Sequence, residues 1–313
     1  MLNDLPTKSS NTFKNIEKTQ MTTNIQERYI ELLKNSLLNE LYIENEVRFL
    51  YIFGMLASGQ KVDETVVREI NIHLPNWVQN VKQARQEGKI WWRLDINKSD
   101  GTTGKLDLRS VCEFSHTMIG RKRLDNITNC LDIIRADNIE GDLIETGVWR
   151  GGATILMRGY LEAWGMLDRK VWVCDSFEGL PVPSLPQDEG YDFSAAKVPI
   201  LAIPLEEVQE NFRRYNLLDD RVKFLKGWFC DTLPNAPIEK LALLRLDGDL
   251  YESTMDGLKN LYHKVAAGGF IIVDDYNDFE PCRRAITEFR ETHNITDPME
   301  VIDWTGIFWR KSK

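Results

Sequence analysis

The stretch LRLDGDLYESTMDGLKNLYHKVAAGGFIIVDDY, residues 244–276, decides the fold class. An apolar strand ends on Asp247, with Asp249 two residues on. A helical segment follows, Gly268-Gly269 turns the chain, and a second apolar strand ends on Asp274 and Asp275. Strand, helix and strand within about 30 residues form a parallel βαβ unit. Parallel strands bring their carboxyl-terminal ends to one edge, where α/β proteins bind ligands. Asp247, Asp249, Asp274 and Asp275 therefore converge on a ligand edge. Like charges at close range repel unless something positive lies between them, and an all-oxygen donor set suits Mg²⁺, Ca²⁺ or Mn²⁺. The competing reading is that these are solvated residues at strand ends.

Working outward, the same alternation of apolar runs and helical patterns extends from Asp142 to the carboxyl terminus. Strands are expected at Leu143-Ile144, at VWVCDSF (171–177), at VKFLKG (222–227), at LALLRLD (241–247) and at FIIVDD (270–275). Helices are expected over 153–165, 206–215 and 279–293. Residues 300–303 and 306–310 read as a terminal hairpin. This order predicts an α/β, doubly wound, Rossmann-like sheet with right-handed crossovers and an antiparallel edge.

The turn after the first of these strands reads ETGVWRGGAT. Gly147 permits positive φ, and Gly151-Gly152 lets a ligand approach the backbone beside a helix N-terminus. The spacing is not GxGxxG, so the dinucleotide fingerprint is absent. Glu145 at the strand tip would repel a pyrophosphate and attract an amino-acid ammonium, which argues against a dehydrogenase. The next strand ends on Asp175, followed by Ser176 and Phe177, where an acid binds a ribose diol. The third ends on Gly227, then Trp228 and Phe229, placed for adenine stacking. Trp228 as a core aromatic is the alternative. A nucleoside that carries an amino acid satisfies these positions together, and S-adenosylmethionine is that molecule.

Composition sets the outer limits. The 313 residues carry a formal net charge of −9, which argues against a nucleic-acid binder needing a basic face. No apolar run is long enough for a transmembrane helix, and the first twenty residues lack the apolar region of a secretory signal. Cys112, Cys130, Cys174, Cys230 and Cys282 show no CxxC pair. With His73, His116, His263 and His293 the only histidines, a zinc site is disfavoured and a cytoplasmic location is expected. The expected organisation is a disordered polar tail over 1–22, a helical amino-terminal extension over 23–110 and the sheet domain over 111–313. Within the extension, 24–58 reads as helical, 63–70 and 76–87 as shorter helices, and 98–105 (KSDGTTGK) as a polar loop. Trp91 and Trp92 suggest that this region packs on something.

Several ordered blocks resemble one known family. They are RYIELLKNSLLNELYIENE (28–46), SHTMIGRKRLDNI (115–127), GDLIETGVWRGGATILMRG (141–159), VWVCDSFEGLP (171–181), GWFCDTLP (227–234), LRLDGDLYEST (244–254), GGFIIVDDY (268–276) and WTGIFWR (304–310). Residues 142–310 resemble the macrocin O-methyltransferases, Mg²⁺-dependent enzymes of antibiotic sugar methylation with a class I methyltransferase fold. Residues 47–110 read as an insertion relative to shorter members. The resemblance implies that Glu145 and Gly147 hold the methionine end of S-adenosylmethionine, and that Asp175 takes the ribose. It implies that Ser176, Phe177 and Trp228 surround the adenosine, and that Asp247, Asp274 and Asp275 bind Mg²⁺ or Mn²⁺. Thr117 and Met118 are candidates for the cofactor pocket, with core packing the competing role for Met118.

The expected reaction moves the methyl group to a hydroxyl of a small-molecule natural product, a sugar hydroxyl within a vicinal diol. A divalent cation lowers the hydroxyl's pKa and positions it. Catechol-type enzymes carry a lysine three residues after the first metal aspartate; here Leu250 stands there. The base candidates are then Asp247, Asp249 and His116, in that order. Arg245, in an apolar strand, is read as a structural partner of an acid. The loop over 178–204 exceeds the usual loop length and is read as a lid. The alternatives are a phenol or carboxylate acceptor, or a non-catalytic nucleotide-binding interaction module. The expected partner is a small hydroxylated acceptor, with neither nucleic acid nor membrane. A homodimer or higher homo-oligomer is expected, the extension serving as a dimer contact or as a cover over the acceptor site.

Overall fold

The structure is a computed structural model that describes residues 24–89, 93–97, 101–107 and 114–312. The tail expected over 1–22, the Trp91-Trp92 pair and Cys112 lie outside the described residues.

A seven-stranded sheet forms the centre of the molecule. In chain order its strands are β3 (Asp142–Thr146), β4 (Val171–Asp175), β5 (Val222–Lys226), β6 (Leu241–Leu246), β7 (Val265–Val273), β8 (Glu300–Val301) and β9 (Ile307–Arg310). Their spatial order is β5-β4-β3-β6-β7-β9-β8. The first five are mutually parallel, and β9 runs antiparallel to both β7 and β8. The doubly wound sheet with a terminal antiparallel hairpin is thus as expected. Every residue of β6 (LALLRL) is buried, because helices cover both faces of a parallel sheet and water reaches neither. The chain leaves β3 on one side and returns on the other at β6, so the topological switch point lies between Gly147 and Asp247.

One face carries α1 (Ile25–Leu37), α6 (Arg121–Ala136), α7 (Gly152–Ala163) and α8 (Leu205–Arg214). The other carries α9 (Phe229–Thr232), α10 (Tyr251–Leu261) and α11 (Glu280–Thr292). In α6 the residues Leu124, Ile127, Leu131 and Ile134 recur at helical spacing and are all fully buried. Each such side chain contributes about 1.5–3 kcal/mol by leaving water. This helix was absent from the sequence reading.

The extension differs from the expectation in three ways. Asn39, at φ 55, breaks the 24–58 helix into α1 and α2 (Ile43–Ala57). Ile30, Leu33 and Leu37 of α1 belong to the same core as Leu143 of β3, so this helix packs on the sheet. Finally, β1 (Arg93–Asn97) and β2 (Thr103–Asp107) pair antiparallel, so the extension is not wholly helical and the loop read over 98–105 is partly strand. The remainder, α2 with α3 (Glu64–Arg68), α4 (Ile70–His73) and α5 (Pro75–Glu87), surrounds a small core of Ile43, Val47, Leu50, Ile70 and Val81. A buried ion pair, Arg85 Nη2 to Glu46 Oε2 at 2.9 Å, crosses it. Among the described residues no helix is long and apolar enough to cross a membrane.

Candidate active site

A cavity of about 650 Å³ opens over the carboxyl-terminal ends of β3 to β7. The turns after successive strands supply its floor. Gly147 follows β3, Asp175 ends β4, and Gly227-Trp228-Phe229 follow β5. Asp247 and Asp249 follow β6, and Asp274 and Asp275 follow β7. The loop over 178–204 forms the roof with Leu180, Val182 and Phe193, and the end of α5 adds Gly88 and Lys89.

Gly147 is there for a steric reason. Its φ is +87, and a Cβ would stand 1.7 Å from the carbonyl oxygen of Asp247. Only glycine lets the β3 and β6 turns meet at the switch point.

Carboxylate oxygens of Asp247, Asp274 and Asp275 all lie within 4.8 Å of one another. Two arginines stand beneath and beside them. Arg245, fully buried, places Nη1 2.6 Å from Glu145 Oε1 and 2.5 Å from Asp247 Oδ2. Its Nη2 bonds Asp274 Oδ1. Arg123 of α6 bonds Asp274 Oδ2 through Nη1 and Asp303 Oδ2 through Nε at 3.0 Å. Glu145, Arg245, Asp274, Arg123 and Asp303 thus form one alternating ladder of charge beneath the site.

The compensation is incomplete. Burial, then the Asp274 carboxylate, pushes Asp247 up to about 6 against the pull of Arg245. Burial raises Asp275 well above the usual carboxylate range, and Asp249, Asp247 and Asp274 add to it. The oxygen-only donors and the unmatched negative charge fit a hard divalent cation. Both oxygens of Asp274 hold guanidinium groups, whereas Asp247 gives only Oδ2 to Arg245.

The structure brings most of the named residues to the cavity. Thr117, Met118, Gly147, Asp175, Ser176, Gly227, Trp228, Phe229, Asp247, Asp249, Asp274 and Asp275 line it. Met118 also packs on the larger core. Asp175 accepts from Val148 N at 2.8 Å, Phe177 N at 2.7 Å and Ser176 Oγ at 3.4 Å, so it staples the β3 and β4 turns together at the cavity wall.

Three residues are placed elsewhere. Glu145 does not line the cavity; it is sealed against Arg245, and burial pushes its carboxyl up to about 8. Phe177 turns inward and packs on Phe224, so only its backbone serves the site. His116 lies outside the cavity lining, its Nδ1 2.8 Å from Tyr215 Oη. Burial, with help from Arg214 and Arg150, lowers its pKa to about 4. The ring is paired with Tyr215 rather than presented to the cavity.

Several contributors escaped the sequence reading. Arg123 is one of three consecutive basic residues, and nothing local distinguishes it from Arg121 and Lys122. Asp188, fully buried, accepts from Tyr251 N at 2.7 Å and Glu252 N at 3.1 Å, which fastens the roof loop to the start of α10. Thr305 donates Oγ1 to Asp274 O at 2.7 Å, a contact that only the β7–β9 register creates.

Comparison with known proteins follows this geometry. The macrocin-O-methyltransferase (TylF) family profile matches residues 26–311. The demethyldecarbamoylnovobiocin O-methyltransferase of Streptomyces niveus is 52% identical over 204 residues, 64% of this chain and 77% of that protein. The 8-demethyl-8-(2,3-dimethoxy-alpha-L-rhamnosyl)-tetracenomycin-C 4'-O-methyltransferase of Streptomyces olivaceus is 52% identical over 204 residues, 63% of this chain and 76% of that protein. The solved structure of the O-methyltransferase NovP aligns with a TM-score of 0.71 at 39% identity, covering 92% of this chain and all of that one.

Proposed function

This chain belongs to the macrocin O-methyltransferase family, and we propose that it methylates one hydroxyl of a sugar borne by a natural product, with a divalent cation held by Asp247, Asp274 and Asp275. The family and its named relatives make the chain an S-adenosylmethionine-dependent O-methyltransferase of natural-product biosynthesis, acting on small-molecule acceptors. The observation that carries the finer reading is the aspartate trio on the floor of a cavity that also holds Gly147, Asp175 and Trp228.

The trio would hold Mg²⁺ or Mn²⁺. Such a cation supplies acidification and orientation of the acceptor hydroxyl. The protein's own residues do the rest. Asp175 and Gly227-Trp228 bind the nucleoside half of the methyl donor, and Gly147 leaves room for its amino-acid half. Asp247, whose Oδ1 is left open by Arg245, is the first candidate to accept the acceptor's proton. Asp249, which also lines the cavity, is the second candidate. The roof loop excludes water and holds donor and acceptor together, which supplies much of the rate.

The preferred acceptor has a second oxygen on the carbon next to the reacting hydroxyl, in the simplest case a vicinal diol. Such a pair can chelate one ion. In the S. olivaceus relative's named acceptor the sugar already carries methoxy groups at 2 and 3 and reacts at 4', so the oxygen next to the reacting position is an ether there.

The cytoplasmic location and the homodimer also belong to this proposal. Cys130, Cys174, Cys230 and Cys282 are free thiols, as in a reducing compartment. Ile25, Leu32 and Leu56 leave apolar surface on α1 and α2 for a second copy. The domain division is proposed with α1 joined to the sheet domain. The test of function is a methylation assay on a panel of rhamnosylated aglycones, with and without chelator. Product that forms only without chelator supports the reading; equal turnover in both overturns the cation's role.

A further inference from the structure

The cavity has two flanks. Trp228, after β5, stands on the cofactor side; on the other, past β7, stands the turn of Asp303, Trp304 and Thr305 between β8 and β9. Trp304 is 43% exposed although it lines the cavity. Leaving an indole uncovered forgoes the gain of burying a large apolar surface.

This indole is nevertheless firmly held. Its Nε1 donates to Glu87 O at 2.9 Å, at the end of α5. Asp303 on one side accepts from Arg123 Nε at 3.0 Å and from Gly306 N at 2.9 Å. Thr305 on the other side donates to Asp274 O at 2.7 Å. The ring is therefore anchored through both chain neighbours and its own edge, while nearly half of the residue stays uncovered. One residue separates it from a bond to the strand end that carries Asp274 and Asp275. Lys89 and Asp278 line the cavity as well, and Phe279 adds an apolar wall. A rigid aromatic face with a few polar groups around it suits a ring that is itself amphipathic, and pre-organisation lowers the cost of binding it.

We propose that Trp304 is the platform of the acceptor subsite, on which the C–H face of a deoxysugar ring stacks while its hydroxyls reach the aspartate trio. This rests on the methyltransferase reading above and adds the residue that selects a glycoside over a flat diol. Trp304 acts on affinity for the acceptor and takes no part in the proton or methyl transfer.

The test is calorimetric titration of phenyl α-L-rhamnopyranoside, and separately of catechol, into enzyme loaded with Mg²⁺ and S-adenosylhomocysteine. The variants are Trp304→Phe, which keeps a ring face but loses the bond to Glu87, and Trp304→Ala. The expected result is a rise of about tenfold in the rhamnoside Kd for Trp304→Ala, the scale of one lost stacking contact. Trp304→Phe should stay within a few-fold of wild type. Catechol binding and S-adenosylhomocysteine binding should not move. Phe and Ala variants that weaken together would make the tie to Glu87 the whole effect and overturn the platform. Unchanged rhamnoside affinity in Trp304→Ala would overturn it while leaving the methyltransferase reading intact. A wild type that binds S-adenosylhomocysteine and Mg²⁺ but no rhamnoside would overturn the platform and the sugar acceptor together.

Discussion

Arg245 bonds Asp247 at 2.5 Å from below the oxygen set that a cation would meet from the cavity. The two residues lie two apart at the end of β6, on one face of the sheet, and the same guanidinium reaches Glu145 and Asp274. One buried cation thus serves three acids. Arg245→Met should destabilise the fold by about 3–5 kcal/mol, the usual result of leaving buried charges unpaired. Adding Glu145→Gln should recover part of the loss. Urea unfolding of the single and double variants checks this, and a double variant no more stable than the single would show that Glu145 is not coupled to Arg245.

Gly147→Ala should be among the most damaging small substitutions, since the new methyl group would stand 1.7 Å from Asp247 O at a φ of +87. A melting temperature several degrees lower and loss of S-adenosylhomocysteine binding are expected. A variant that methylates at the wild-type rate would mean that the β3 and β6 turns do not meet this closely.

The roof loop is held by Asp188, which caps the start of α10, and by Phe193 packed on Phe279 at 5.3 Å. Asp188→Ala removes a cap worth about 1 kcal/mol. Limited proteolysis should then cut faster within 178–204, and the acceptor KM should rise more than kcat falls. An unchanged cutting rate would show that the latch does not hold the loop.

His116 makes stability depend on pH. Its folded pKa is about 4 against an ordinary value of 6.5, because burial disfavours the charged ring. Above the unfolded value the ring is neutral in both states. As pH falls through that value towards about 4, the unfolded chain takes up a proton that the folded chain refuses, so the contribution is lost. His116→Gln, which keeps a partner for Tyr215, should flatten the fall in melting temperature between pH 7 and pH 5 relative to wild type. Parallel curves for the two proteins would assign the acid sensitivity to other groups.

The sheet was legible because its strands are buried on both faces and so read as continuous apolar runs that end in acids or glycine. The positions of Asp247, Asp274, Asp275, Gly147 and Trp228 followed from those strand ends. Contacts set by long-range register were not legible. Glu145 and Arg245 lie opposite each other only because β3 pairs with β6, and that pairing turns a presumed ammonium ligand into a sealed ion pair. Phe177 follows Asp175 at a φ of +58, and that turn sends its ring into the core. The hairpin RLDIN and TGKLD is short and polar, so its alternation is hard to separate from a loop. The spacing of Leu124, Ile127, Leu131 and Ile134 was present to be read, but six charged residues between 121 and 135 diluted it.

The most direct measurement is calorimetric titration of Mg²⁺ into protein saturated with S-adenosylhomocysteine, for wild type and Asp275→Asn. Asp275 is the informative position, since Asp274 also neutralises Arg123 and Arg245 and its loss would disturb the fold. The account predicts saturable Mg²⁺ binding in wild type, its loss in Asp275→Asn, and equal S-adenosylhomocysteine affinity in both. Equal Mg²⁺ binding in the two proteins, or none in wild type even with a rhamnoside present, would contradict it.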